Sequence, residues 1–242
     1  MKVRRLAMAL IASLALLAQA EILRVGFGTH KPPYVFESER RGLEYEIIEQ
    51  AAQRAGFQIS PYFAPMERLH RMQQVHQLDA IATTNEQSRL PVYYSKPYIE
   101  YHNYAVALAA RHLPIRQVAD LGRYSVSAFQ RARDLLGPDF QAMAANNPQY
   151  REEAQQVVRN RLLLSGRVDV VVGDRRIIEY FNREIGQQVD ISQPLSWYEL
   201  FPPTPYQVGF RTAEQRDRFD VGLETLRRSG DYAAIERKYA DY

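Results

Sequence analysis

The sequence contains no cysteine. A chain without cysteine has no disulfide framework, no thiol nucleophile, no cysteine metal site and no cysteine for lipid attachment. It must therefore fold on its hydrophobic core alone. Together with the export signal described below, this favours a protein that is free in the periplasm over one fixed to a cell surface.

Motifs for metals, cofactors and covalent catalysis are also missing. The five histidines, at positions 30, 70, 76, 102 and 112, are scattered without metal-ligand spacing. The pair Gly26 and Gly28 is only a fragment of a dinucleotide fingerprint, because the third glycine is absent and prolines stand where the helix should start. No nucleophile–base pair or phosphate loop is apparent, so we expect no metal and no cofactor.

Residues 1–20 have the pattern of a cleaved signal peptide. Lys2, Arg4 and Arg5 precede an apolar run from Leu6 to Leu17, and the small residues at 18 and 20 predict cleavage after Ala20. The run is too short for a transmembrane helix, which needs ~20 apolar residues. We therefore expect a periplasmic protein that is not inserted in the membrane after cleavage.

The mature chain lacks an excess of either charge. The formal net charge of +3 comes from 31 basic and 28 acidic residues, and the signal segment carries three of the basic ones. Its removal leaves a neutral protein, which lacks the excess positive charge that attracts nucleic acid or an anionic membrane.

Alternating strand and helix patterns predict an α/β fold. Buried strands are expected near residues 23–27, 57–63, 78–84, 124–128, 168–172 and 206–210, and helices near 44–54, 65–75, 130–136, 150–164, 175–184, 213–228 and 232–239. Residues 142–148 and 195–205 are predicted to be loops. Two extended crossings, near 98–103 and 203–206, predict a first lobe from residues 21–102 and 206–242 with a second lobe, 103–205, inserted between them.

One unit of the chain occurs twice. When residues 71–84 are laid over residues 161–174, an arginine, an aspartate and every apolar strand position coincide. Each copy reads as the end of a helix, a tight turn, an aspartate and a buried strand, so Thr84 and Asp174 fall at equivalent strand ends. In open α/β sheets, ligands bind at such carboxyl ends.

The repeat also predicts a type of ligand. If the two copies belong to two lobes that face each other, Thr84 and Arg89 lie on one side of a gap and Asp174 lies on the other. An arginine grips a carboxylate and an aspartate accepts from an ammonium group. A molecule carrying both groups would satisfy all three side chains. The alternative is that Arg89 and Asp174 are ordinary surface charges.

Over nearly all of residues 23–239 the chain resembles the periplasmic solute-binding proteins of polar amino-acid ABC transporters, the group that includes the glutamine-binding protein. The strongest pieces are Gly42–Ile47, Leu78–Ile81, Thr84–Arg89 leading into Tyr94–Tyr98, Val168–Asp174 and Tyr206–Tyr239. The resemblance implies the two-lobed type II periplasmic binding protein fold, with a mixed, mostly parallel sheet in each lobe.

It also implies roles for five residues. Thr84 and Arg89 match the pair that binds the α-carboxylate of the ligand, helped by a backbone group at Ala82. Asp174 matches the residue that binds the α-ammonium group, and Tyr34 matches an aromatic residue that packs on the ligand side chain.

Three positions depart from the family pattern. Gly28 stands where many relatives have an acidic residue, so a ligand with an amide or cationic side chain loses one expected partner. The second-lobe turn lacks its usual glycine and makes Phe129 and Gln130 possible pocket residues. Met66 and Arg68 belong to a helix start that resembles a subgroup with tryptophan at the first of these positions.

The expected function is therefore binding of an amino acid by lobe closure, by a monomer that delivers the ligand to an ABC transporter permease. Two alternatives remain. Cyclohexadienyl (prephenate or arogenate) dehydratases use the same fold, with Glu86 or His30 as candidate catalytic groups here. A ligand sensor for a membrane receptor would act through a separate partner.

Overall fold

The computed structural model describes residues 20–242, so residues 1–19 of the predicted signal peptide lie outside the described residues. Strands and helices alternate along the chain. In order they are β1 Glu21–Phe27, α1 Leu43–Arg54, β2 Phe57–Phe63, α2 Met66–Gln74, β3 Ala80–Thr84, β4 Tyr93–Tyr94, β5 Ile99–Tyr101, β6 Asn103–Leu108, β7 Val126–Phe129, α3 Ala132–Leu135, α4 Pro138–Asn146, β8 Tyr150–Glu153, α5 Gln156–Leu164, β9 Val170–Asp174, α6 Arg175–Glu184, β10 Leu195–Tyr198, β11 Thr204–Phe210, α7 Ala213–Arg228 and α8 Asp231–Lys238.

The strands form two separate sheets, which define two lobes. The six-stranded sheet of lobe 1 has the order β2-β1-β3-β11-β4, with β5 also paired to β11, and the five-stranded sheet of lobe 2 has the order β10-β6-β9-β7-β8. Both sheets mix parallel and antiparallel pairs and are flanked by helices. The expected two-lobed α/β fold is confirmed. The returning strand begins at Thr204 rather than at Tyr206.

The duplicated unit is present in both lobes. Helix α2 precedes β3 in lobe 1, and α5 precedes β9 in lobe 2, with corresponding bounds offset by 90 residues. Each of these strands has a parallel neighbour on one side and an antiparallel neighbour on the other. All five residues of each strand are buried, as a central strand covered on both faces requires. Thr84 and Asp174 end equivalent strands, as the alignment of the two copies predicts.

Three sequence-based assignments were wrong. Residues 142–146 belong to helix α4, which begins with Pro138 at a position where proline is favoured, and not to a loop. The helix predicted from Tyr150 is split, because its first residues form the edge strand β8 of lobe 2. Residues 195–198 form the opposite edge strand, β10. The two missed strands are short and lie at sheet edges, where apolar alternation is weak.

Helices α1 and α7 of lobe 1 pack closely at Gly222. A Cβ atom at this position would overlap the backbone oxygen of Ala51. We therefore expect Gly222→Ala to lower the free energy of unfolding by ~1–3 kcal/mol, the usual cost of overpacking. A destabilising effect would be informative, because alanine normally stabilises a helix interior relative to glycine by up to ~1 kcal/mol.

Thermal unfolding checks this expectation. The neighbouring residue Val221, which is 66% exposed on the same helix, provides the control. Val221→Ala should change stability by less than ~0.5 kcal/mol. A Gly222→Ala protein that unfolds at or above the wild-type temperature would contradict the close packing of the two helices.

Candidate functional site

A narrow cleft, with a cavity of about 50 Å³, lies between the two lobes, where the strand ends of the duplicated unit face each other. Thr83, near the end of β3, and Asp174, at the end of β9, lie on its walls. The full lining consists of Gly28, Thr29, Lys31, Met66, Thr83, Tyr101, Asn103, Phe129, Gln130, Leu135, Ala154, Gln156, Arg159, Asp174, Ile177 and Tyr206.

Asp174 provides the carboxylate of the cleft and is 2% exposed. It is both the last residue of β9 and the N-cap of α6, so strand and helix together fix its position. Oδ2 accepts hydrogen bonds from the His102 N–H (2.9 Å) and the Tyr34 hydroxyl (3.1 Å), and Oδ1 accepts one from the Ile177 N–H (3.2 Å). A carboxylate accepts about four hydrogen bonds, so Oδ1 retains capacity for one more donor. Burial raises the pKa of Asp174, and these hydrogen bonds oppose the rise.

Lobe 1 places an ammonium group in the cleft, but that group is paired within the lobe. Lys31 Nζ lies 2.5 Å from Glu44 Oε2 and also donates to Thr83 Oγ1 (2.7 Å) and the Tyr101 hydroxyl (3.1 Å). An ammonium group has three N–H donors, so all three have acceptors. The only lysine on the cleft wall is therefore satisfied without a ligand.

Glu44 completes this network from the first turn of α1 and is fully buried. Its carboxylate accepts hydrogen bonds from the hydroxyls of Thr83, Tyr98 and Tyr101, the last two at 2.6 Å. Burial by itself raises the pKa of Glu44, but Lys31 and the hydroxyl donors outweigh it and hold the pKa below the usual value.

Lobe 2 contributes a second cation, Arg159 of α5, which is 1% exposed. Its Nη1 donates to the Val172 carbonyl and its Nη2 to Gln156 Oε1. Burial lowers the pKa of Arg159 to about 10, which leaves the guanidinium charged at neutral pH. The wall of lobe 2 therefore carries one carboxylate and one guanidinium group.

Apolar side chains also line the cleft, beside its charged and uncharged polar groups. Met66 comes from lobe 1, and Phe129, Leu135 and Ile177 come from lobe 2. They offer a surface for an uncharged part of a ligand, while the charged groups of the ligand would meet the polar wall.

The lobes also touch each other directly beside the cleft. The Gln130 side chain of lobe 2 accepts a hydrogen bond from the Glu67 N–H at the start of α2 (3.0 Å), and Arg131 Nη1 donates to Glu67 Oε2 (3.1 Å). On the other side, Thr29 Oγ1 donates to the Ala154 carbonyl (3.3 Å). The lobes are thus in contact around the cleft.

The structure places the nine residues predicted from the sequence in different surroundings. Asp174, Met66, Phe129 and Gln130 line the cleft together. Tyr34 is buried behind this wall, stacks on Tyr101 with ring centroids 3.9 Å apart, and orients Asp174 through its hydroxyl.

Like Tyr34, the predicted residues Ala82, Thr84, Arg68 and Arg89 do not line the cleft. Ala82 is fully buried within β3. Thr84 is also fully buried, and its hydroxyl donates to Ser88 Oγ at 2.8 Å. Arg68 is exposed, and its guanidinium lies 5.6 Å from the centre of the Tyr62 ring.

The chain geometry after β3 explains the displacement of Arg89. Thr83 has φ 54° and lines the cleft one residue before the predicted position. Successive strand residues point to opposite faces, so Thr84 points away. A 3₁₀ turn, Glu86–Ser88, then leads to Arg89, which has left-handed φ 53° and is exposed beside a separate cavity.

The two candidate catalytic groups of the dehydratase alternative also lie off the cleft. Glu86 is exposed in the 3₁₀ turn. His30 packs edge-on against Phe36, Tyr180 and Phe181, and burial lowers its pKa. Neither side chain contributes to the cleft lining.

Sequence reasoning missed Lys31, Glu44, Thr83 and Arg159. Glu44 lies in the first turn of a predicted helix, where acidic residues are ordinarily solvated, and no local pattern indicates its buried partner Lys31, which is 13 positions away. A usable signal existed for Arg159, because it precedes the buried Leu163 by four residues and therefore shares its helix face.

Within residues 20–242 no group of three or more His, Asp or Glu side chains is arranged to hold a metal ion. In the same part of the chain, no helix combines the length and the apolar character needed to cross a membrane.

Comparisons with known proteins extend these observations. The model of the bacterial extracellular solute-binding proteins, family 3, matches residues 23–242. A comparison with curated protein sequences gives no match.

Three solved structures share the fold at low identity. An ancestral arginine-binding protein bound to arginine is 20% identical, with a TM-score of 0.76 over 91% of this chain and 99% of that chain. A histidine kinase sensor domain similar to periplasmic binding proteins is 19% identical, with a TM-score of 0.76 over 91% and 96% of the chains. The ancestral amino acid-binding protein AncCDT-1, a precursor of cyclohexadienyl dehydratase, is 17% identical, with a TM-score of 0.67 over 90% and 95% of the chains.

Proposed function

Because the chain belongs to the bacterial extracellular solute-binding proteins, family 3, we propose that its ligand is an amino acid, held as a zwitterion in the cleft between the lobes. A zwitterion fits because the wall of lobe 2 presents one carboxylate and one guanidinium group, so its charges are balanced.

The proposal rests on the burial and the hydrogen bonds of Asp174. It is a buried carboxylate held rigidly by three hydrogen bonds, with one acceptor position left at the cleft. Leaving a buried carboxylate without a cationic partner is costly. An ammonium group of the ligand supplies that partner, and desolvation in the cleft strengthens the attraction.

We place the hinge in residues 98–103 and 203–206. The two crossings pair with each other as antiparallel strands, with Ile99 opposite Tyr206 and Tyr101 opposite Thr204. A paired ribbon of two short segments can bend while both lobes remain intact. A ligand that contacts both lobes favours the closed form by differential binding.

The physiological role that follows is delivery of the amino acid to the permease of an ABC transporter by a periplasmic monomer, after signal cleavage behind Ala20. A catalytic role has less support, because Glu86 and His30 do not line the cleft. A sensory role would use the same binding event but pass it to a membrane receptor.

Thermal unfolding of residues 21–242 tests the binding function. The panel contains the twenty common L-α-amino acids, putrescine, spermidine, succinate and prephenate. A ligand present at ~100 times its dissociation constant adds ~2.7 kcal/mol of stability. In a protein of this size that is a rise of several degrees in Tm.

A rise with one or a few L-α-amino acids is the expected result. No rise with any amino acid, or a rise with prephenate accompanied by its turnover, would overturn the proposal. Prephenate turnover would instead establish the dehydratase activity.

A further inference from the structure

The guanidinium group of Arg159 is built into lobe 2 without an acidic partner. It is 1% exposed, and within residues 20–242 its two hydrogen bonds go to neutral acceptors, the Val172 carbonyl and the Gln156 side chain. Asp174 and Glu153 influence it only through longer-range charge interactions. A buried cation without a counterion is unfavourable, so an anion bound beside Arg159 would be stabilising.

The donors of Arg159 are only partly used. A guanidinium group carries five N–H donors. Two of them have acceptors, and Nε is buried with no hydrogen-bond partner among the described residues. Because Arg159 lines the cleft, the remaining donors are available to a bound molecule.

Among the described residues of lobe 1 that line the cleft, none offers a comparable group. The donors of Lys31 are all taken by Glu44, Thr83 and Tyr101, and Arg89 is exposed outside the cleft. Even the Thr83 N–H is occupied, because it donates to the Tyr98 hydroxyl at 3.0 Å. An anionic group entering the cleft therefore finds its strongest unsatisfied donor in lobe 2.

We propose that Arg159 binds the carboxylate of the ligand, so that both charged groups of the ligand are held by lobe 2. This inference rests on the proposed function, because it assumes an amino acid in the cleft. It assigns to lobe 1 a different task, which is to cover the ligand with Met66, Thr83 and Tyr101 when the lobes close.

The guanidinium group of Arg159 lies against the strand residue that precedes Asp174. Arg159 packs on Gly173, and a Cβ atom at Gly173 would overlap Nη1. Successive strand residues point to opposite faces, so Arg159 and Asp174 approach the cleft from the two sides of β9, and both line it. Because the charges of γ-aminobutyrate lie farther apart than those of an α-amino acid, it serves as the probe of the charge spacing that this arrangement accepts.

Gly173 provides a way to displace Arg159 without removing it. Gly173 does not have the left-handed backbone conformation, and the only overlap of an added Cβ is with the flexible end of the Arg159 side chain. Gly173→Ala should therefore fold while moving the guanidinium. It complements Arg159→Met, which keeps an unbranched, flexible side chain and removes the guanidinium group with its charge.

Isothermal titration compares the wild type, Arg159→Met, Gly173→Ala and the control Arg89→Met. The probes are L-glutamine, L-leucine, L-methionine, L-phenylalanine and L-arginine, each with its α-carboxamide, and γ-aminobutyrate. For the probe that binds, we expect the wild type to prefer the acid over the carboxamide on the order of a hundredfold. Arg159→Met and Gly173→Ala should reduce this preference at least tenfold, whereas Arg89→Met should keep it.

The preference for the acid over the carboxamide distinguishes a binding role of Arg159 from a structural one. A purely structural Arg159 would weaken acid and carboxamide equally, and an unchanged preference in Gly173→Ala or Arg159→Met would overturn the inference while leaving the proposed function intact. Loss of the preference in Arg89→Met alone would assign the carboxylate to lobe 1 instead. If none of the five amino acids nor any other in the thermal panel binds the wild type, the proposed function itself fails.

Discussion

Lys31→Met should lower the free energy of unfolding of the ligand-free protein by ~3–5 kcal/mol, because it leaves a buried carboxylate without its cation. Glu44 is fully buried and would retain only the hydroxyl donors of Thr83, Tyr98 and Tyr101. At ~2–4 °C per kcal/mol, the expected fall in Tm is about 10 °C.

A double variant tests whether the unpaired charge of Glu44 causes the loss of stability in Lys31→Met. In the Lys31→Met background, Glu44→Gln removes the uncompensated charge. The amide oxygen still accepts from one tyrosine hydroxyl, and the amide nitrogen can donate to the other. The double variant should be more stable than the single one, although both contain the same methionine. Lys96→Met, at an exposed lysine, is the control and should change stability by less than ~0.5 kcal/mol.

The effect of Lys31→Met on the free energy of unfolding should depend on pH. In the wild type the pKa of Glu44 is held below its ordinary value, so its stabilising contribution is present above the unfolded-state pKa and is lost as the pH falls through the folded-state pKa. In Lys31→Met, burial is no longer offset, so the folded-state pKa should be raised and protonation should relieve the defect. The difference in stability between the two proteins should therefore narrow as the pH falls from 7 toward 4.5. A constant difference across this range would contradict the role of the ion pair.

Asp174→Asn should weaken binding of the amino acid roughly a hundredfold or more, the equivalent of ~3 kcal/mol. Asparagine is as good an N-cap as aspartate, so α6 should remain intact. The substitution removes the negative charge that the ligand ammonium group requires. The amide oxygen can still accept from the Ile177 N–H at the start of α6, whereas the His102 N–H loses its acceptor to the amide nitrogen.

Titration with the amino acid that binds the wild type measures this loss. Asp220→Asn serves as the matched control, since Asp220 lies outside the cleft in lobe 1 and accepts from the Lys96 N–H. Because burial raises the pKa of Asp174, wild-type affinity should fall as the pH drops through that pKa. The Asp174→Asn protein should lack this pH dependence, and wild-type affinity in that variant would refute the role of Asp174.

The fold was predictable from the sequence largely because the chain contains one unit twice. The alignment of residues 71–84 with 161–174 reproduces the observed equivalence of β3 and β9, both fully buried central strands. Buried central strands give a strong apolar signal. The edge strands β8 and β10 were missed because they are only partly buried, and there neighbouring strands decide the conformation.

Among the charged residues of the cleft, only the one fixed by both a strand and a helix was predictable from the sequence. Asp174 ends a strand and caps a helix, so its position follows from the local sequence. The position of Arg89 depends on a 3₁₀ turn and on left-handed conformations at Thr83 and Arg89, which periodicity does not predict. The pairing of Lys31 with Glu44 is set by tertiary packing, which no local pattern records.

A crystal structure of the protein with its amino acid ligand would show directly how the ligand is held. We expect the ligand between the lobes, with its ammonium group at ~3 Å from Asp174 Oδ1 and its carboxylate at hydrogen-bond distance from the Arg159 guanidinium. A ligand bound outside this cleft, or bound in it without contacting Asp174, would refute binding of the ammonium group by Asp174.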